Sequence, residues 1–303
     1  MSIFTELFTD YTLRNVALGS ALLGVVSGVL GCFAVLRRQG LIGDALAHAA
    51  LPGICIAYLL TGAKTPLVLM LGAAVSGWIG VWALLRLVQH TRIKEDAALG
   101  IVLSAFFGFG ILLLTFISRR NDANQAGLDK YLFGQAATLT TGDVEAMAVL
   151  GMIALVLVAV FFKELKILAF DSEFAASLGF NTHAINLLLT TLIVVAIVIG
   201  LRTVGVVLMA AMLIGPAVAA RQWTNKLSVM CALAALFGAL AGVSGALISI
   251  SESRLPTGPM VILSMTVIAA FSVFFAPARG LVWEWVQLAR HRAQLRRGLA
   301  AGK

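Results

Sequence analysis

Long apolar runs separated by short polar connections make up most of this chain. Nine of them, roughly residues 13–36, 44–62, 66–85, 97–118, 143–162, 183–200, 203–220, 227–250 and 258–276, have the length and apolarity to cross a bilayer as helices. The seventh is short and follows the sixth after two or three residues, so a half-span or a sharply tilted helix is expected there. In the first run Gly24, Gly28 and Gly31 share a helix face, as do Gly238, Gly242 and Gly245 in the eighth. Small residues so placed let helix backbones approach closely in lipid, and internal helix packing is the expected use. Pro52 and Pro216 fall inside apolar runs and are expected to kink them, freeing carbonyls that protein or water must satisfy. Leu255-Pro-Thr-Gly-Pro259 reads as a turn into the ninth run.

Three polar stretches interrupt the pattern. Arg119 to Gly142 is the longest, and Tyr131-Leu-Phe-Gly134 within it is expected to form a short surface helix, in an ordinary loop or a docking surface. Residues 163–180 form a connection in which Asp171 or Ser172 caps a short helix, with Glu173 in its first turn. That helix carries Ala175, Ala176 and Leu178 and is stopped by Gly179. An apolar-small face of this kind suits either a groove in another protein or a plain amphipathic connector. After the transmembrane domain, 1–282, comes a basic tail, 283–303, with Trp283 and Trp285 placed to sit at the headgroups.

Composition sharpens the class. Of 303 residues 60% are hydrophobic and 12% charged, and the mean hydropathy is +1.00, which excludes a soluble domain. The net charge of +8 does not indicate nucleic acid, because Lys and Arg fall between the apolar runs. With the N-terminus outside and the C-terminus inside, 15 basic residues lie on the cytoplasmic side and 7 outside, so an N-out, C-in topology is expected. Cys32, Cys55 and Cys231 lie in apolar runs and form no C-x-x-C, as expected of core thiols. Glu6 and Asp10 replace a basic leader, so the first run reads as a retained span.

One polar pair stands inside an apolar run. In Gly40-Leu-Ile-Gly-Asp-Ala-Leu-Ala-His-Ala-Ala-Leu-Pro-Gly53, Asp44 and His48 are four residues apart and share a helix face. Such a pair is costly against lipid and should face protein or a water-filled cavity. Carboxylate plus imidazole is also a ligand set for Mn, Fe or Zn ions. Two readings stand at this point: a hydrogen-bonded pair that joins helices, and a station on a substrate or ion pathway. Other chemistry is missing from the sequence. No Walker-type phosphate loop occurs, Gly62-Ala-Lys-Thr65 lacks the glycine before lysine, and neither H-E-x-x-H nor a serine elbow is found.

Several segments in order resemble the transmembrane subunits of the ABC importers for manganese, zinc and iron. They are the 40–53 block, Asp96-Ala-Ala-Leu-Gly-Ile101, Tyr131–Gly134, Phe170–Gly179, Val204–Ala217 and Leu255–Pro259. Gly215 before Pro216 and the loose Pro277-Ala-Arg-Gly280 turn are small departures from that pattern. The resemblance implies an all-α, vitamin-B12-importer-like (type II) permease fold in the bacterial inner membrane, with no enzymatic activity of its own. It further implies two permease protomers, alike or not, around a central pathway, two ATP-binding-cassette ATPases below and a metal-carrying binding protein outside. On that likeness Asp44 and His48 form a metal-interacting gate, the 170–180 helix couples to the ATPase, and the chain holds no cofactor beyond the transported ion. A permease for iron-siderophore or cobalamin chelates and an intramembrane enzyme are the alternatives. Against the first stands the charged pair. The second would need further polar residues facing the same cavity, and apart from Glu252 and Asp143 near the outer ends there are few.

Overall fold

The computed structural model describes residues 11–283 apart from 38, 41, 63–64, 120–133, 135, 137–138, 202 and 252–254. Among the described residues the chain forms eleven helices and no strand. They are α1 Tyr11–Leu36, α2 Ile42–Thr61, α3 Pro66–His90, α4 Glu95–Ser118, α5 Thr141–Val160, α6 Phe162–Phe170, α7 Ser172–Ser177, α8 Thr182–Gly200, α9 Val206–Trp223, α10 Leu227–Ser251 and α11 Thr257–Phe275. All except α6 and α7 are long and apolar enough to cross a membrane, and they fall on the nine apolar runs. The seventh run is α9, whose 18 residues make a rod of about 27 Å, close to the hydrocarbon thickness. It starts so soon after α8 because the turn between them is tight. The Thr203 hydroxyl and the Val204 N–H both donate to the Gly200 carbonyl, at 2.9 and 3.0 Å, and Gly205 takes a positive φ of 86°.

Burial sorts the helices into a centre and a rim. In α1 and α2, 78% and 83% of the apolar span is buried, against 22% in α11 and 28% in α4 and α5. The glycine faces explain the centre. A Cβ on Gly24 would run into the backbone of Gly238, one on Gly28 into the Ala234 carbonyl, and one on Gly242 into the Ser20 carbonyl. The small faces of α1 and α10 therefore lie against each other, antiparallel and in van der Waals contact, which is the internal packing their spacing predicts. Gly53 of α2 and Gly72 of α3 make a second such crossing. Both prolines lie inside continuous helices. Pro52 cannot supply an N–H to the His48 carbonyl, and beside that carbonyl the buried Ser76 hydroxyl donates to Ala49 O at 2.6 Å.

Contacts between distant segments separate the two ends of the bundle. At one end the Thr141 N–H donates to the Tyr11 hydroxyl at 3.2 Å, Ser249 donates to Leu255 O at 2.8 Å, and Gly134 presses on the backbone of the 203–205 turn. At the other end the Arg37 guanidinium donates to Asn186 Oδ1, and that of Arg279 to Asn225 Oδ1 at 2.8 Å. Each group joins connections that nine successive crossings put on one side.

One expectation changes in detail. The 163–180 connection begins with a second helix, α6, ahead of the capped one. Its buried face is only Leu165, Leu168 and Ala169, set among Lys163, Glu164 and Lys166, too short a pattern to stand out. The Tyr131–Gly134 surface helix lies outside the described residues except for Gly134, as do Arg38, Glu252 and the tail beyond Trp283.

Candidate functional site

Asp44 sits in the first turn of α2, and His48 follows one turn later. The pair lies on one helix face, with Asp44 Oδ1 3.4 Å from His48 Nε2. From Ile42 to Cys55 every residue is buried except these two. Their side chains keep 30% and 12% of their surface accessible, while Ala45, Leu46, Ala47, Ala49, Ala50 and Leu51 are sealed against neighbouring helices. The pair is thus the one opening in an otherwise closed stretch of the most buried helix. Within this protomer the two groups are therefore not fully enclosed by a helix–helix contact.

The surroundings hold the pair without satisfying it. The His48 ring meets the edge of Phe107 from α4, with ring centroids 4.6 Å apart, which restricts its rotation. His48 Nδ1 is buried with no hydrogen-bond partner among the described residues. Gly43, just before Asp44, lies against the Leu213 side chain of α9, which seats the start of α2. Among the described residues no cluster of three or more Cys, His, Asp or Glu could hold a metal. One chain therefore offers two ligands at this position, an acid oxygen and an imidazole nitrogen, and any fuller coordination sphere takes donors from outside it. Asp143, the other acid in question, is buried at the opposite end of the molecule, where its carboxylate accepts from the Thr140 N–H and hydroxyl in a capping box.

The second candidate element folds as its sequence spells out. Asp171 caps α7 by accepting from the Phe174 N–H at 2.9 Å. At the other end the Gly179 N–H donates to Ala176 O and the Phe180 N–H to Ala175 O, with Gly179 at φ 85°, a Schellman close. Ser172, Glu173 and Ala176 are exposed, whereas Ala175 turns inward and is buried. The exposed apolar residues are instead Phe170 at the end of α6, Phe174 within α7 and Leu178 at its C-cap, each more than half accessible. Phe174 carries no cap or stop signal, and its place four residues before Leu178 is the pattern that points to it.

Comparison with known proteins places this architecture. The ABC 3 transport family matches residues 9–276. The zinc transport system membrane protein TroC of Treponema pallidum is 51% identical, over 94% of this chain and 95% of its own. The manganese transport system membrane protein MntC of Bacillus subtilis is 48% identical over 92% of this chain, which spans 64% of that relative. A solved structure of PsaBC from Streptococcus pneumoniae in complex with Fab superposes with a TM-score of 0.83 at 30% identity, covering 95% of this chain and 98% of that one. The chain belongs to the ABC 3 transport family, as a multi-pass transport subunit of the bacterial inner membrane rather than an enzyme.

Proposed function

We propose that this chain is the permease of an ATP-driven importer of divalent zinc or manganese, with Asp44 and His48 as the gate that the ion passes. The carrying observation is that these two, alone between Ile42 and Cys55, open to the outside of the protomer. A carboxylate and a neutral imidazole suit borderline divalent ions, and neither ligand would hold a bulky chelate. Two protomers facing each other across a central pathway would bring four such donors together. That number stabilises a partly dehydrated ion long enough to pass and not long enough to store it.

A face for the second protomer is available beside the pair. On α4, Gly100, Ser104 and Gly108 lie exposed one turn apart, and a Cβ on either glycine would meet nothing within 4 Å. A helix can approach such a surface closely. The rest of the machine follows from α7. Phe174 on the stiffly capped α7, with Phe170 and Leu178 flanking its two ends, offers an exposed apolar surface suited to the groove of an ATPase, with the N-terminus outside and α7 in the cytoplasm. A metal-carrying binding protein would deliver the ion on the opposite side. Alternating access then consists of ATPase closure moving α7 and opening the gate to one side at a time.

The test is ATP-dependent uptake of zinc or manganese into vesicles that contain the assembled transporter. Uptake is expected from the wild type and from neither Asp44→Ala nor His48→Ala, with both variants inserted and assembled normally. Uptake at the wild-type rate by either variant would remove the gate.

A further inference from the structure

The two candidate elements are far apart in sequence, yet one polar contact joins the segments that bear them. The Arg37 guanidinium, at the end of α1, donates to Asn186 Oδ1 on α8, across 149 residues of chain, in a half-buried setting. On the α8 side, Asn186 lies one turn inside the helix start, where Asn181 caps by accepting from the Ala184 N–H at 3.1 Å. Only Leu178 to Asn181 separate α7 from α8, and the Schellman bonds at Ala175 and Ala176 stiffen that link. A displacement of α7 therefore reaches Asn186 with little slack.

The α1 side is equally taut. The Arg37 N–H donates to Phe33 O at 3.1 Å, the Gln39 N–H to Ala34 O at 3.0 Å, and the Ile42 N–H to Gln39 O at 3.1 Å. These bonds tie Arg37 and Gln39 to the end of α1 and Ile42 to Gln39, and Asp44 sits in the first turn of α2. No comparable polar bond between α8 and the start of α2 is found among the described residues. An apolar contact also holds this region together, the Phe33 ring against Phe162 of α6 with centroids 6.2 Å apart. It packs the core and does not depend on Arg37 or Asn186.

We propose that the Arg37–Asn186 hydrogen bond is the transmission link between α7 and the Asp44–His48 gate, so that these two are positioning residues that tie ATP hydrolysis to transport. The inference rests on reading α7 as the ATPase-facing helix and the pair as the gate. A guanidinium donating to a side-chain amide is a charge-assisted, directional bond: it transmits pulling as well as pushing, which packing contacts do not. The Phe33–Phe162 contact keeps the fold intact when the polar bond is removed.

The experiment measures ATP hydrolysis and manganese uptake together, in vesicles holding the complete transporter. In Asn186→Leu and Arg37→Met, hydrolysis stays within about twofold of the wild type while uptake drops about tenfold, so ions moved per ATP fall. The double variant is no worse than either single one, as two ends of one bond require. Asn186→Asp, which keeps an acceptor for Arg37, retains the wild-type ratio. An unchanged ratio in the single variants overturns the link, and so does a proportional fall of hydrolysis and uptake in all of them, Asn186→Asp included. The controls separate this failure from a wider one. No metal uptake by the wild type, or normal uptake by Asp44→Ala, sinks the gate reading itself. Wild-type uptake that Asp44→Ala abolishes and Arg37→Met leaves intact sinks the link alone.

Discussion

The first turns of α2 and the short helix α7 break the ordinary burial rule in opposite directions. α2 places an acid and an imidazole in a stretch whose other residues are sealed inside the bundle. α7 and its two flanks leave Phe170, Phe174 and Leu178 uncovered at the bundle's edge. Polar groups in a core and large apolar groups outside one both cost stability, and neither is needed to form its helix. The asymmetry matches the two proposed roles. A site that touches an ion must be polar and narrow, whereas a surface that receives force from a partner must be apolar and stiffly held.

Removing the polarity from α2 should have the largest effect. Asp44→Leu and His48→Leu are expected to bring metal uptake to background while the purified permease keeps its thermal stability within about 1 kcal/mol, because a partly accessible carboxylate–imidazole contact contributes little to folding. Uptake and circular-dichroism melting check the two halves. A large loss of stability would make the pair structural and erase the contrast with α7.

The converse change on α7 comes next. Phe174→Asp is expected to weaken ATPase binding by about 2 kcal/mol, roughly thirtyfold, and leave the melting of the isolated permease unchanged. Pull-down of the ATPase against permease variants reads this directly. Ala175, buried on the same helix, should behave in the opposite way, with Ala175→Asp lowering the stability of the permease itself.

A smaller effect is expected on α4. Gly108→Leu adds a side chain where nothing lies within 4 Å, so the protomer should fold as before while association of the two protomers weakens about tenfold. Cross-linking or size-exclusion in detergent would show it. Least of all, Ser76→Ala removes the hydroxyl that serves Ala49 O beside the proline-freed carbonyl of His48, a loss of about 1 kcal/mol in stability with uptake unaltered.

How much of this was legible without coordinates depends on the range of the interaction. The nine spans could be read because hydropathy and length are local, and α9 proved a full-length helix once the Gly200–Gly205 turn was seen to be tight. Asp44 and His48 could be read because two polar residues interrupt a run that offers them no local partner. The α7 caps were legible for the same reason, through Asp171 and Gly179. Helix α6 was not, since three buried residues are too few to set a period. Nor could sequence pair Gly24 with Gly238, put Phe107 against His48, or join Arg37 to Asn186. Those contacts depend on which helix faces which, and local spacing carries no record of that.

The proposed function requires that the Asp44–His48 pair touch the transported ion. Electron paramagnetic resonance of manganese added to the complete transporter tests it most directly, because a ligating imidazole imprints nitrogen couplings on the Mn(II) signal. The account predicts those couplings in the wild type and their loss in His48→Ala. A bound manganese without nitrogen couplings, or couplings that survive in His48→Ala, would contradict it.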